Sequence, residues 1–334
     1  MRYNILGKTG MKVSAISCGT NMLSRISQEQ ANIALNYALD KGVNLIETGA
    51  RSAYGITEEM IGHAVADRRN EIWLSTKTVA LTAGEVLHDV DQSLKSLQTD
   101  HIDVYQLGNI RFEHQLNRAL SPGGALQGLV RARQQGKINY IGITGHCPEI
   151  LEKAIQSYHF DNVLFILNMI HPYPLERLLP LAKKEGLGTY AMRPTGHGAL
   201  KPASKSLRFA LCSGVDVVLS GMYVTGIVDE NIATAEPEPR ETERNELLQE
   251  TMQLQSTGCR ECGACLPCPY GIRIPTIMSL MHYRERYGLL PDAEKEYREE
   301  ASKAKNCDSC GTCERRCPYK RDISLVMHKA AQSG

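Results

Sequence analysis

Eight of the eleven cysteines fall between residues 259 and 317, in two regularly spaced runs. The first is Cys259-x₂-Cys262-x₂-Cys265-x₂-Cys268-Pro269, and the second is Cys307-x₂-Cys310-x₂-Cys313-x₃-Cys317-Pro318. Three closely spaced thiolates cap one iron–sulfur cubane while a fourth, followed by proline, reaches across to another. By that rule Cys259, Cys262, Cys265 and Cys317 hold one [4Fe–4S] cluster, and Cys307, Cys310, Cys313 and Cys268 hold a second. Gly263 and Gly311, each directly after the second cysteine of its run, let the loop turn closely against inorganic sulfide. Zinc is the alternative that paired CxxC motifs leave open. Eight cysteines with two trailing prolines favour the clusters.

The other chemistry-bearing residues lie in the first 240 positions, and a scaffold has to bring them together. Short β-branched runs alternate there with amphipathic stretches of helical period, the pattern of a parallel sheet. Strands are expected near Val13–Cys18, Asn44–Glu47, Glu71–Thr76, Ile102–Leu107, Ile138–Thr144, Val163–Asn168, Leu187–Met192 and Val215–Ser220. Eight such βα units in this length suit a closed (β/α)₈ TIM barrel, and no GxGxxG follows the first strand to suggest an open nucleotide-binding sheet. Chemistry in such a barrel sits where the strands end. Those ends and their loops carry Glu47, Tyr54, Lys77, Asn109, Arg111, His146, His171, Arg193 and His197, which together read as a polar pocket. Asn109, Arg111 and Arg193 suit a substrate carboxylate or phosphate, the arginines through their forked donors. Cys147 precedes Pro148 at an expected helix start, so its sulfur is either a stabilised thiolate or an inert buried thiol.

The segments YNILGKTGMKVS, YGITEEMIG, WLSTK, HIDVYQLG, QGKINYIGITGH and VLSGMYVTGIVDENI follow one another in the order expected of the aldo-keto reductase family, which the chain resembles over essentially the whole barrel. The resemblance implies NAD(P)H bound in an extended pose and a tetrad of Tyr, Lys, His and Asp. A phenol with an ordinary pKa near 10 needs an adjacent cation to exchange protons near neutrality. By motif position Tyr54 is the acid and Lys77 its cation, with Glu47 at the acidic position, seven residues before the tyrosine. The histidine position holds Gly108, so His146 leads His171 and His197 as candidates to supply an imidazole. Thr144 and Asn168 stand for the nicotinamide site, and Gly221, Glu230 and Asn231 match positions lining pyrophosphate and adenine. The tail resembles the helical dicluster ferredoxin extension of one subgroup of that family.

The 38 Lys and Arg against 37 Asp and Glu give a charge of +1, without the basic excess that nucleic acid or an anionic membrane selects. No apolar run reaches the roughly 18 residues of a membrane span, and MRYNILGKTG lacks the apolar core of a secretory signal. A cytoplasmic chain with few disulfides is expected. The break in cysteine usage places a barrel at 1–240 and a helical ferredoxin-like domain at 241–334, joined by a linker and an exposed charged helix. The expected function is an iron–sulfur oxidoreductase acting on a small carbonyl or hydroxyl compound, with electrons from NAD(P)H, the clusters or both. A ferredoxin or flavoprotein is the expected electron partner. Two alternatives remain: a nicotinamide-independent, cluster-fed reductase or lyase, and a non-enzymatic electron-transfer module.

Overall fold

The computed structural model describes residues 1–196, 198, 200–254, 259, 262–287 and 291–333. An antiparallel hairpin, β1 (Tyr3–Ile5) and β2 (Lys12–Ser14), precedes eight parallel strands. These are β3 (Ile16–Gly19), β4 (Leu45–Glu47), β5 (Trp73–Thr78), β6 (Ile102–Leu107), β7 (Ile138–Gly145), β8 (Asn162–Ile166), β9 (Gly188–Met192) and β10 (Val217–Gly221). They close in sequence order, with β10 pairing both β9 and β3. The expected (β/α)₈ barrel is therefore the observed one. The single strand expected over Val13–Cys18 is two. The Ser17 hydroxyl donates to the Ser14 carbonyl at 2.8 Å, and the chain bends there from hairpin into barrel.

Side chains alternate along each strand, and this decides what faces the interior. Leu45 and Trp73 turn into an apolar floor with Val104, Leu164, Tyr190 and Val217. Leu6, Met11 and Val13 of the hairpin plug it from below. Two residues further along β4 and β5, on the same inward face, come Glu47 and then Ser75 and Lys77. The helices start where capping chemistry permits: Ser27 forms a reciprocal capping box with Gln30, and Thr82 caps the helix Ala83–Ser96. Two helices were not legible in the sequence, Arg51–Tyr54 and Glu113–Leu120. One is too short to show periodicity, and the other is an insertion between β6 and the helix Ala125–Gln134.

Beyond the barrel, the charged helix Glu241–Leu254 is held against it, with Leu247 buried in the barrel's own apolar cluster. Arg208 makes the clamp. Its Nε donates to Glu243 at 2.7 Å and its Nη1 to the Pro237 carbonyl at 2.7 Å. The helices Ile274–Tyr287, Pro291–Lys303 and Ile323–Ser333 then build a second, separate core around Ile277, Tyr297, Ala301 and Met327. Among the described residues no helix is long and apolar enough to cross a membrane.

Removing the clamp tests how the tail is carried. Arg208→Ala is expected to weaken docking of the helix Glu241–Leu254 by about 1–3 kcal/mol, read as faster limited proteolysis near residue 240 with the barrel fragment left intact.

Candidate active site and cysteine-rich cavity

All eight barrel strands are parallel, so their C-terminal ends share one face. On it Lys77, buried at the end of β5, donates through Nζ to Glu47 of the neighbouring β4 and to the Thr48 carbonyl at 2.6 Å. The same ammonium lies 4.2 Å from the centroid of the Tyr54 ring, within cation–π range. The seven-residue spacing from Glu47 to Tyr54 is taken up by the helical turn Arg51–Tyr54 and fixed behind by Thr57 Oγ1, which donates to the Tyr54 carbonyl at 2.7 Å. Burial raises the Glu47 carboxyl above the usual carboxylate range, against the pull of Lys77. Burial would lower Lys77, but Glu47 and Tyr54 outweigh it and hold the ammonium charged. A phenol beside a buried cation can hand a proton to an oxygen bound at the barrel mouth.

The remaining strand-end residues are distributed around the same rim. Arg111 Nε donates to Asn109 Oδ1 at 2.9 Å, in the loop after β6, where Asn109 is left-handed at φ +51°. After β8, Asn168 is fully buried and spends its side chain on the backbone, accepting from Ile170 and His171 and donating to the Arg193 carbonyl at 2.9 Å. The His171 ring stands edge-on to Tyr173. Thr144 is buried at the end of β7, followed by His146, which is half-buried. Asn231 is buried and donates to the Gly221 carbonyl at 3.1 Å, while Glu230 is exposed on the same helix. His197 lies outside the described residues.

Gly108 explains why the histidine of the family tetrad has no counterpart here. Its amide donates to the Thr78 carbonyl at 2.6 Å, and a Cβ at this position would lie 2.3 Å from that oxygen. The surroundings of Cys147 favour the buried thiol over a stabilised thiolate. Its Sγ donates to Glu149 at 3.2 Å, and burial pushes it up to about 12 despite the helix N-terminus. Glu58, which sequence reasoning missed, is a buried carboxyl that accepts from Thr76 Oγ1 at 2.7 Å on the outer face of β5. Alternation along WLSTK, which turns Thr76 outward when Lys77 turns inward, was the available clue.

In the tail, Cys265, Cys268, Cys307, Cys310 and Cys313 line one cavity. Four of these five, Cys268, Cys307, Cys310 and Cys313, are the set that the crossed cysteine rule assigns to one cluster, and Cys265 is assigned to the other. Burial pushes Cys265 up to about 12, and the nearby Cys262, Cys313 and Cys317 add to it. So many neighbouring thiols become thiolates together only against a metal centre's positive charge. Gly263 and Gly311 are left-handed, at φ +76° and +69°, as tight loops around a cluster require. Among the described residues no three His, Cys, Asp or Glu side chains are grouped to hold a single metal ion.

The tail is fastened to the barrel rim beside the first cysteine run. Gly263 packs so closely on Phe112, in the loop after β6, that a Cβ would lie 2.4 Å from its ring. Glu149, in the first turn of the helix Pro148–Ser157 that follows β7, accepts from the Tyr319 hydroxyl as well as from Cys147. No sequence signal marked Phe112, Glu149 or Tyr319 for this role.

Comparison with known proteins agrees with this architecture. A model described as the aldo/keto reductase family matches residues 15–237. The chain belongs to the aldo/keto reductase family. A second model, a 4Fe-4S dicluster domain, matches residues 258–322, so this is an aldo-keto-reductase-type oxidoreductase with an iron–sulfur domain. L-galactose dehydrogenase of Arabidopsis thaliana is 28% identical over 230 residues, covering 61% of this chain and 71% of that protein. An uncharacterized oxidoreductase of Bacillus subtilis (strain 168), YqkF, is 25% identical over 225 residues, covering 62% and 71%. An aldo-keto reductase from Bacillus halodurans in its holo form shares the fold, with a TM-score of 0.67 at 20% identity, over 77% of this chain and 97% of that one.

Because the obstacle at Gly108 is backbone, returning the family's histidine will not restore the tetrad. Gly108→His is expected to cost about 2 kcal/mol or more from overpacking, seen as a lowered Tm, with no gain in turnover; a stable variant with faster turnover would contradict this.

Proposed function

We propose that this aldo-keto reductase interconverts a small carbonyl compound and its alcohol at the barrel mouth, with Tyr54 moving the proton. The observation that carries the reading is the Lys77 ammonium, bonded to buried Glu47 and seated over the Tyr54 ring at the strand ends. In the reducing direction the carbonyl carbon takes two electrons and a proton, and its oxygen takes the Tyr54 proton. The phenolate left behind is stabilised by Lys77 and reprotonated from solvent. Glu47 fixes the ammonium in place. Asn109, Arg111, His171 and Arg193, on the loops around the mouth, are the candidates for binding the rest of the substrate, and His146 for orienting its oxygen.

Cysteines 259, 262, 265 and 317 would hold one [4Fe–4S] cluster and cysteines 268, 307, 310 and 313 the other; when bound, such clusters supply electrons singly. Two observations support the clusters as the electron source. The Cys262–Cys265 loop is packed on the rim through Gly263 and Phe112, and the Asn168 amide is already committed to backbone partners. Family membership supports NAD(P)H as the second reading, with Gly221, Glu230 and Asn231 along its path and Thr144 near its nicotinamide.

Tyr54→Phe is expected to lower turnover by about 10²- to 10⁴-fold while leaving Tm and iron content unchanged. Retained turnover would remove Tyr54 from the proposal. Anaerobically prepared protein is expected to contain about eight iron and eight sulfide per chain. Zinc in their place would overturn the cluster reading. Bleaching of the cluster absorbance on adding NADPH or NADH would establish the nicotinamide route, and its absence would leave the clusters dependent on another donor.

A further inference from the structure

The cluster set at Cys268, Cys307, Cys310 and Cys313 differs from the other in what surrounds it. The first cysteine run faces the barrel, whereas Cys310 and its neighbours Asp308 and Ser309 are exposed. Charge is concentrated at this edge. From residue 303 to 321 there are six Lys or Arg (303, 305, 315, 316, 320, 321) against two acids (308, 314); with Asp322, which follows directly, the excess is +3 in a chain whose total is +1, and Lys303 is paired with Glu300 at 2.8 Å. Arg315 and Arg316 are exposed and hydrogen-bonded to residues that line the cavity. Arg315 donates to the Cys310 carbonyl at 3.2 Å, and Arg316 to the Pro267 carbonyl, next to Cys268, at 3.2 Å. Both acids are engaged within the protein: Asp308 accepts from the Tyr270 hydroxyl at 2.5 Å and Glu314 from the Ser324 amide at 2.8 Å. Tyr270, which lines the cavity, and Leu325, the residue after the cavity-lining Ser324, are exposed at 44% and 54%, large apolar groups that a folded domain normally covers.

An apolar centre with a one-sign rim is how transient electron-transfer partners meet: charge orients the encounter and raises its rate, and a small apolar contact completes it. We propose that the surface formed by Arg315, Arg316, Tyr270 and Leu325 around exposed Cys310 is the landing site of an acidic one-electron carrier protein. This rests on the cluster-fed reading of the proposed function. In the encounter the carrier is oxidised by one electron, and the chain's iron–sulfur domain is reduced by one. Two such encounters balance the two electrons of a carbonyl reduction.

The test follows reduction of the iron-loaded full chain by stopped-flow absorbance, under anaerobic conditions, with two donors: a reduced small acidic ferredoxin and the methyl viologen radical cation. For wild type the ferredoxin rate is expected to fall steeply between about 50 and 500 mM salt, where screening removes long-range attraction. Arg315→Glu with Arg316→Glu is expected to slow ferredoxin by about tenfold or more at low salt, leaving the viologen rate unslowed. Because both arginines also hold the Cys310 and Cys268 loops, Lys305→Glu with Lys320→Glu supplies a second reversal that touches none of those hydrogen bonds. It is expected to act in the same direction with iron content unchanged. If ferredoxin reduces wild type and both variants alike at every salt concentration, the landing surface is overturned while the cluster reading stands. If neither donor reduces wild type that carries its full iron, both fall.

Discussion

The site depends on one buried ion pair. Removing an ammonium and a carboxylate from water costs several kcal/mol for each ion, and only close geometry with further hydrogen bonds offsets it. Lys77 meets that condition with Glu47, the Thr48 carbonyl and the face of Tyr54. The pair spans two strands, so it requires the β4–β5 register, in which Glu47 stands opposite Ser75, to be held firmly. The register is held from below, where Leu45 and Trp73, the inward residues that precede the pair, pack into the floor closed by the hairpin. The floor contributes no chemistry of its own, yet it fixes where the cation sits.

A second constraint is imposed from above. The loops that follow β6 and β7 would be free to shape a pocket in a barrel standing alone. Here the first is held by the Phe112 contact with Gly263, and the second is held where it enters the helix Pro148–Ser157, by Glu149 joining Tyr319 to Cys147. Asn109 and Arg111 sit three residues or fewer from Phe112, and His146 three from Glu149. The side chains proposed to read a substrate are therefore close in sequence to the contacts that fasten the cysteine-rich tail.

Much of this was legible because it is local. Eight βα units, the capped starts at Ser27 and Thr82, and the cysteine spacings are all written within a few residues of one another. The Tyr54–Lys77–Glu47 group was legible from motif position, with Glu47 and Lys77 at strand ends, which converge in a parallel barrel, and Tyr54 in the segment that follows β4. What stayed hidden is long-range or steric. The sequence shows that residue 108 is glycine, but that a carbonyl from β5 forbids anything else is a fact about packing. The thiol at Cys147 was ambiguous for the same reason, since burial against the tail, and not its position before Pro148, decides its state. The helix Glu241–Leu254 looked exposed because its composition is charged, yet one leucine and one arginine suffice to seat it.

The contact between Gly263 and the Phe112 ring bears on how such a two-part chain arises. A cysteine-rich segment appended to an arbitrary barrel would meet a rim of a different shape, and its glycine would face a void or a clash. The two halves are fitted to each other at the Phe112 ring as well as at Glu149 and Tyr319, so this tail is not a portable cassette, and drift at one position is answerable at the other.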